Sequence, residues 1–148
     1  MKFLKKAVSM LAACGIAIAA IPFSAIPADA AILYSLDDGV LTIKSPEVIE
    51  KDGTKVPWYD ERDQITSLVL RDGITKIGDA LFTDLTALET IDFPDTLTTI
   101  GTNSFRNCTS LKSIELPSSL TTIGIGAFGD CTQLQSVQFS EGLKSIET

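Results

Sequence analysis

The sequence predicts an α/β solenoid: a short right-handed superhelix of stacked coils with a parallel sheet, little regular helix and a small β-hairpin cap at its N-terminal end. Three observations carry this. Apolar residues recur at a period of 23 along Ile65, Leu88, Leu111 and Leu134, with no insertion or deletion. The same period holds Leu68/Ile91/Ile114/Val137, Leu70/Phe93/Leu116/Phe139, Ile74/Leu97/Leu120/Leu143, Ile77/Ile100/Ile123/Ile146, Phe82/Phe105/Phe128 and Leu85/Cys108/Cys131, with the glycines Gly78/Gly101/Gly124 in step. Ahead of the repeats, two short apolar runs flank the turn signal Asp37-Asp38-Gly39. A single unit cannot repay the entropy of ordering its own backbone, so units must stack, each burying its neighbour's flanks.

The chain divides into a leader (1–30), a capping segment (31–64) and repeats (65–148), about 3.6 units with the last incomplete. In the leader, Lys2, Lys5 and Lys6 precede an apolar stretch from Ala7 to Pro27, and Ala28-Asp29-Ala30 offers small residues at the cleavage spacing. Export with cleavage before Ala31 is expected, and no membrane insertion afterwards. Two rivals are a lipoprotein box at Leu11-Ala12-Ala13-Cys14 and retention as a membrane anchor. The first leaves only seven residues between Lys6 and Cys14, and the second ignores the cleavable motif.

In the capping segment, Leu33–Leu36 and Val40–Ile43 form the hairpin that shields the first coil. Residues 44–64, with Pro46, Asp52-Gly53 and Pro57, read as an irregular connection. Trp58 and Tyr59 could stack on a carbohydrate, but aromatics beside a solenoid end are expected to cover it.

Each repeat opens with an L-x-x-L-x-L core, the mark of a leucine-rich solenoid. The Leu-x-Leu step, Leu68 and Leu70 or Ile114 and Leu116, alternates like a strand with one buried face. Pro94 and Pro117 follow the strand at one phase, where a missing N–H and a fixed φ suit a corner. The Leu-Thr-Thr-Ile-Gly runs at 97–101 and 120–124 predict a second short extended segment, whose glycine should hold a backbone conformation costly for other residues. The stretch 101–108 is too short for a free helix and predicts a helical or 3₁₀ turn that plugs Phe105 into the core.

These residues resemble a known family. Pro57-Trp58-Tyr59 leading into the run 65–78, followed by Ala127-Phe128-Gly129-Asp130-Cys131, is similar to the BspA-type (treponemal) leucine-rich repeats of bacterial surface proteins, a likeness that spans roughly 33–148. The resemblance implies a secreted or surface-exposed protein that binds host or neighbouring-cell proteins or polysaccharides, often as one module of a longer chain, and it carries no catalytic residues to transfer. Leu85 stands where the family usually has Cys, Leu81 and Ser104 stand at a small Ala position, and Glu147 replaces the glycine.

Losing Lys2, Lys5, Lys6 and Asp29 with the leader takes the formal charge from −7 to −9. That balance argues against nucleic acid and against anionic membrane surfaces, and solubility of an exported chain explains it. With no His in the chain, Ser-His, Cys-His and His-metal chemistry are excluded. No phosphate-binding, dinucleotide or EF-hand pattern occurs, so neither a cofactor nor a metal is expected. Asp60-Glu61-Arg62-Asp63 reads as a solvated polar connection, and a solenoid this short offers no cleft for a glycosidase carboxylate pair. Asn107-Cys108-Thr109 matches a glycosylation sequon whose middle residue looks buried.

Cys108 and Cys131 share the core phase of Leu85. A bridge between adjacent coils is geometrically open, since strands about 4.8 Å apart fall within the Cα range of disulfides, about 4.4–6.8 Å. Free, packed thiols are the favoured reading.

If the chain binds, the sheet face is the place. Alternation turns Ser67, Val69 and Arg71 outward, followed by Thr90, Asp92 and Pro94, then Ser113, Glu115 and Pro117, then Ser136, Gln138 and Ser140. One column carries hydroxyls throughout (Ser67, Thr90, Ser113, Ser136). The next sets Asp92 beside Glu115, about 5 Å apart in an in-register sheet, a pair suited to a basic group or Ca²⁺ unless it is simply a solvated acidic face with Glu89 and Lys112 nearby. The leading expectation is an exported bacterial module binding an extracellular protein or polysaccharide; the alternative is a structural spacer in a larger assembly. Thr148 lies 14 residues past Leu134, so the last coil lacks its Phe turn. A fragment of a longer protein, or edge-to-edge association at an uncapped end, is expected.

Overall fold

The computed structural model of this protein describes residues 34–45, 56, 58–139 and 141–147. The expected leader, the rival lipoprotein box and, within the connection 44–64, residues 46–55 and 57 lie outside the described residues.

Four coils stack in the predicted register, beginning at Ile65, Leu88, Leu111 and Leu134. The hairpin ahead of them is β1 (Tyr34–Asp37) and β2 (Val40–Ile43), antiparallel, with Tyr34 opposite Ile43. Its two turn residues, Asp38 and Gly39, have φ of 48° and 82°, the paired left-handed geometry that matches strand twist and that Asp-Gly supplies cheaply. The hairpin does more than cap. Strand β2 joins the repeat sheet in parallel with β3 (Ser67–Leu70), Leu41 beside Leu68 and Ile43 beside Leu70, so the chain provides a strand for the first coil to build on.

The Leu-x-Leu strands continue as β5 (Thr90–Asp92), β7 (Ser113–Glu115) and β9 (Ser136–Gln138), and the Thr-Ile steps form β4 (Lys76–Ile77), β6 (Thr99–Ile100), β8 (Thr122–Ile123) and β10 (Ser145–Ile146). The second set builds a four-stranded parallel sheet, with Ile77, Ile100, Ile123 and Ile146 in one row. The first set does not stay whole: β1, β2, β3 and β5 make one sheet, and β7 with β9 makes another.

Between the sheets, the segments around Phe82, Phe105 and Phe128 carry turns where a helical turn was expected. Ala80 and Asn103, with Gly126 in the same phase, have φ of 52°, 54° and 61°; Asp84, Asn107 and Asp130 have 64°, 61° and 59°. Two left-handed residues per turn prevent a helical run. Alternate N–H groups instead reach the next coil: Phe82 N donates to Ser104 O at 2.8 Å, Asn103 N to Ile125 O at 2.9 Å, Phe105 N to Ala127 O at 2.8 Å and Asn107 N to Gly129 O at 2.8 Å. The backbone thus forms a third inter-coil ladder. The 3₁₀ helix at Tyr59–Gln64 is the only helix among the described residues.

The glycine column has a different cause from the one expected. Gly101 and Gly124 do not lie in the left-handed region; a Cβ on either would stand 2.8 Å from the carbonyl carbon of the glycine one coil back. These residues are small because two backbones meet there.

The core is a set of ladders. Phe82, Phe105 and Phe128 stack with ring centroids 5.3 Å apart, and Trp58 stacks on Phe82 at 5.6 Å with Tyr34 edge-on at 5.5 Å. Trp58 is fully buried and caps the aromatic pile, as expected, while Tyr59 is half exposed with the Arg62 guanidinium 4.2 Å from its ring centre. Ser104 is the buried polar residue, its Oγ donating to Gly78 O and Gly101 O at 2.9 and 2.7 Å. Core columns thin out in the fourth coil: Phe139 is 59% and Ile146 52% exposed although their counterparts in earlier coils are sheltered. A coil's inner residues are covered by the coil that follows, and no described residue follows this one.

Phe105 has a ring on either side and is fully buried, so Phe105→Ala should cost about 3–5 kcal/mol, whereas Phe128→Ala, half buried with a ring on one side, should cost clearly less by urea unfolding. Gly124→Ala should cost about 1–3 kcal/mol by overpacking, despite adding a better strand former.

Candidate functional site

The strand face carries the outward residues expected from alternation at β3, β5, β7 and β9, and the structure sorts them into two plates. On the first, Ser67 sits beside Thr90 and Val69 beside Asp92 in the β3–β5 pairing; the Thr90 hydroxyl donates to Ser67 Oγ at 3.0 Å. On the second, Ser113 sits beside Ser136 and Glu115 beside Gln138 in β7–β9. Thr90, Asp92, Ser113, Glu115, Ser136 and Gln138 are exposed, and Ser67 and Val69 half buried. The alternation therefore points outward as read.

Two expectations at the strand ends change. Arg71 is exposed but stands beyond the last residue of β3, and Pro94, placed outward by alternation, is buried. Alternation lapses there because the chain leaves the strand at this corner, as a proline with no N–H to give the ladder demands.

The larger correction lies between the plates. Asp92 and Glu115 were to face each other in a continuous sheet, yet β5 and β7 are not paired. The interruption falls where two carboxylates would stand directly opposite, the arrangement that destabilises a strand pair. The two strands stay neighbours without a ladder, and an open cleft of about 430 Å³ lies at the strand ends, lined by residues of three coils. Asp92, Asp95 and Glu115 bring negative charge to its walls, Gln138 an amide, and Phe93 and Phe139 rings. Asp95 and the two phenylalanines were not picked out from the sequence. The phenylalanines belong to a column that reads as core, and they meet the cleft at the strand ends, beside the missing ladder and the open last coil.

Strand β2 was expected as a hairpin arm, but not as a member of the repeat sheet. Val40 pairs beside Ser67 and Thr42 beside Val69, so the hairpin extends the face by one strand. An Asp-Gly turn signals a hairpin but does not say which of its strands meets the repeat.

Among the described residues no group of three or more His, Cys, Asp or Glu is arranged to hold a metal. The Asp60-Glu61-Arg62-Asp63 run lies in the 3₁₀ helix, where the Arg62 guanidinium donates to Tyr59 O at 2.7 Å. On the turn side, Arg106 pairs with Asp130 at 2.9 Å, both exposed, and Asn107 of the sequon donates its amide to Asp84 Oδ1 at 2.8 Å. Cys108 and Cys131 are both free thiols in the expected core column, the first buried and the second half buried. Interaction with the Cys108 thiol lowers the pKa of Cys131 from the usual thiol value; the same interaction, reinforced by burial, raises that of Cys108.

The family model described as "BspA type Leucine rich repeat region" matches residues 58–148 in six copies. No curated protein matches the chain. Among solved structures, a leucine-rich repeat protein from Bacteroides ovatus is similar with a TM-score of 0.55 and 28% identity, over 58% of this chain and 22% of that one. The T. pallidum leucine-rich repeat protein gives 0.61 at 24% identity over 86% and 64%. A leucine-rich cell surface protein from Faecalibacterium prausnitzii gives 0.52 at 24% over 70% and 32%. The latter two show the fold alone. The chain spans less than two thirds of the length of each of these solved proteins.

If like charge keeps the ladder from forming, the double substitution Asp92→Thr with Glu115→Thr should let β5 and β7 pair. The expected gain is ~1 kcal/mol, read as a higher Tm together with slower hydrogen exchange in the amides of residues 113–115.

Proposed function

This chain belongs to the BspA-type leucine-rich repeat family, and from that membership we propose that it is an exported, surface-exposed binding module of a bacterium that meets an extracellular protein or glycan with its strand face and does no chemistry of its own. The observation that carries this is the open cleft at the ends of β5, β7 and β9, where the outward Asp92, Glu115 and Gln138 meet the rings of Phe93 and Phe139. Aromatic rings with polar groups around them can stack on a sugar or take an apolar side chain, and the carboxylates favour a partner that brings a cationic group to the same spot.

Export is supported by the N-terminal Lys residues, the apolar stretch and the small-residue cleavage motif before Ala31. Among the described residues no helix is long and apolar enough to cross a membrane. The net charge of −7 disfavours nucleic acid as the partner, since phosphates need basic neutralisation.

A panel of immobilised extracellular-matrix proteins and polysaccharides, probed with the full chain at low and moderate salt, tests the reading. Capture should weaken as salt rises. Asp92→Lys with Glu115→Lys should reduce it by about tenfold or more, ~1.4 kcal/mol, with circular dichroism unchanged. Capture that ignores both the substitution and the salt would favour a structural spacer with no ligand of its own on this face.

A further inference from the structure

The coils that start at Leu88 and Leu111 are the pair whose strands, β5 and β7, lack a ladder. The same two coils contribute the chain's two core thiols. Cys108 closes the turn of one and Cys131 the turn of the next, and each makes the equivalent contact: Cys108 Sγ donates to Phe82 O at 3.4 Å and Cys131 Sγ to Phe105 O at 3.2 Å. Identical roles displaced by one coil put the two thiol side chains in one column, a coil apart. Adjacent coils of such a stack lie about 4.8 Å apart, inside the Cα range of disulfides, about 4.4–6.8 Å, and the neighbouring phenylalanine rings repeat at 5.3 Å. Cys131 is the less buried of the pair, so a reagent meets its sulfur first.

We propose that Cys108 and Cys131 are an oxidisable pair that forms an inter-coil disulfide by exchange with a low-molecular-weight disulfide, stapling the coil junction at which the strand ladder is open. The Cys131 thiolate attacks one sulfur of the external disulfide, forming a mixed disulfide and expelling one thiolate. Cys108 then gives up its proton to solvent, attacks Cys131 Sγ and expels the second thiolate. Two protein thiols are oxidised to one disulfide, and the external disulfide is reduced to two thiols. The order of events follows from the site: Cys131, the less buried of the two, is the first nucleophile, and buried Cys108 resolves it.

The reduced junction is held by the β6–β8 pairing and by the turn ladder through Asn103, Phe105 and Asn107. A covalent link on the turn side would fix the two coils while leaving the cleft on the strand face unobstructed.

The experiment uses the full chain carrying Cys14→Ser, incubated with excess oxidised glutathione near neutral pH. The expected product has lost two hydrogens by intact mass, and trypsin without reductant leaves peptide 107–112 joined to peptide 113–144. Its Tm should rise by about 5–15 °C and fall back when dithiothreitol is added. Cys131→Ser should show neither change, and Cys108→Ser should stop at the mixed disulfide. Because the intact mass and the peptide map are read on the chain that retains both cysteines, the outcome does not depend on either serine variant folding. A chain that keeps both thiols titratable, stops at glutathionylated Cys131, or links between molecules overturns the proposal.

Discussion

Each coil of this solenoid leaves backbone hydrogen-bonding groups and one flank of its side chains for the next coil to satisfy. That dependence holds along three sides: the Leu-x-Leu strands, the Thr-Ile strands and the turn segments, whose N–H groups cross to the neighbouring coil at 2.8–3.0 Å. Side chains follow the same rule. The hydroxyls of Thr98 and Thr121 donate one coil back, to Thr75 O at 2.8 Å and Thr98 O at 3.0 Å, and Thr102 N takes Asp79 Oδ1 at 2.8 Å. A one-residue insertion would shift all three ladders at once. The strict period of the sequence is the imprint of that constraint.

Sequence reading succeeds where the pattern within one repeat carries the cause and fails where the cause lies between coils or in local backbone conformation. The buried columns through Leu68, Ile77, Phe82 and Leu85 were legible because every coil has the same neighbours. The glycine column was legible as a column, but its cause was not, because close approach of two backbones leaves no trace in a single repeat. Trp58 stacks on Phe82 from 24 residues upstream, one residue out of phase, so periodicity hides its membership of the phenylalanine pile. The turn segment was misread as helical because length alone does not reveal the left-handed residues at Ala80, Asn103, Asp84 and Asn107.

The outward face shows the same division. Alternation placed Thr90, Asp92, Ser113 and Glu115 in solvent correctly, since period two is local. It could not show that Asp92 and Glu115 would refuse to pair, because that depends on the balance between a short ladder and a like-charge contact. Three-residue strands have few bonds to set against such a contact. The missing ladder between β5 and β7 is the main departure from the expected sheet, and it borders the cleft on which the proposed function rests.

Trp58 is the chain's only tryptophan, and it lies fully buried at the hairpin end of the stack, against Phe82 and Tyr34. The opposite end presents Phe139 and Ile146 to water. Indole emission is thus a one-sided gauge: it stays silent while the far coil frays and turns red only when loosening reaches the hairpin. Ellipticity registers both ends, so the interval between the two optical signals measures how far the stack comes undone piecemeal rather than all at once.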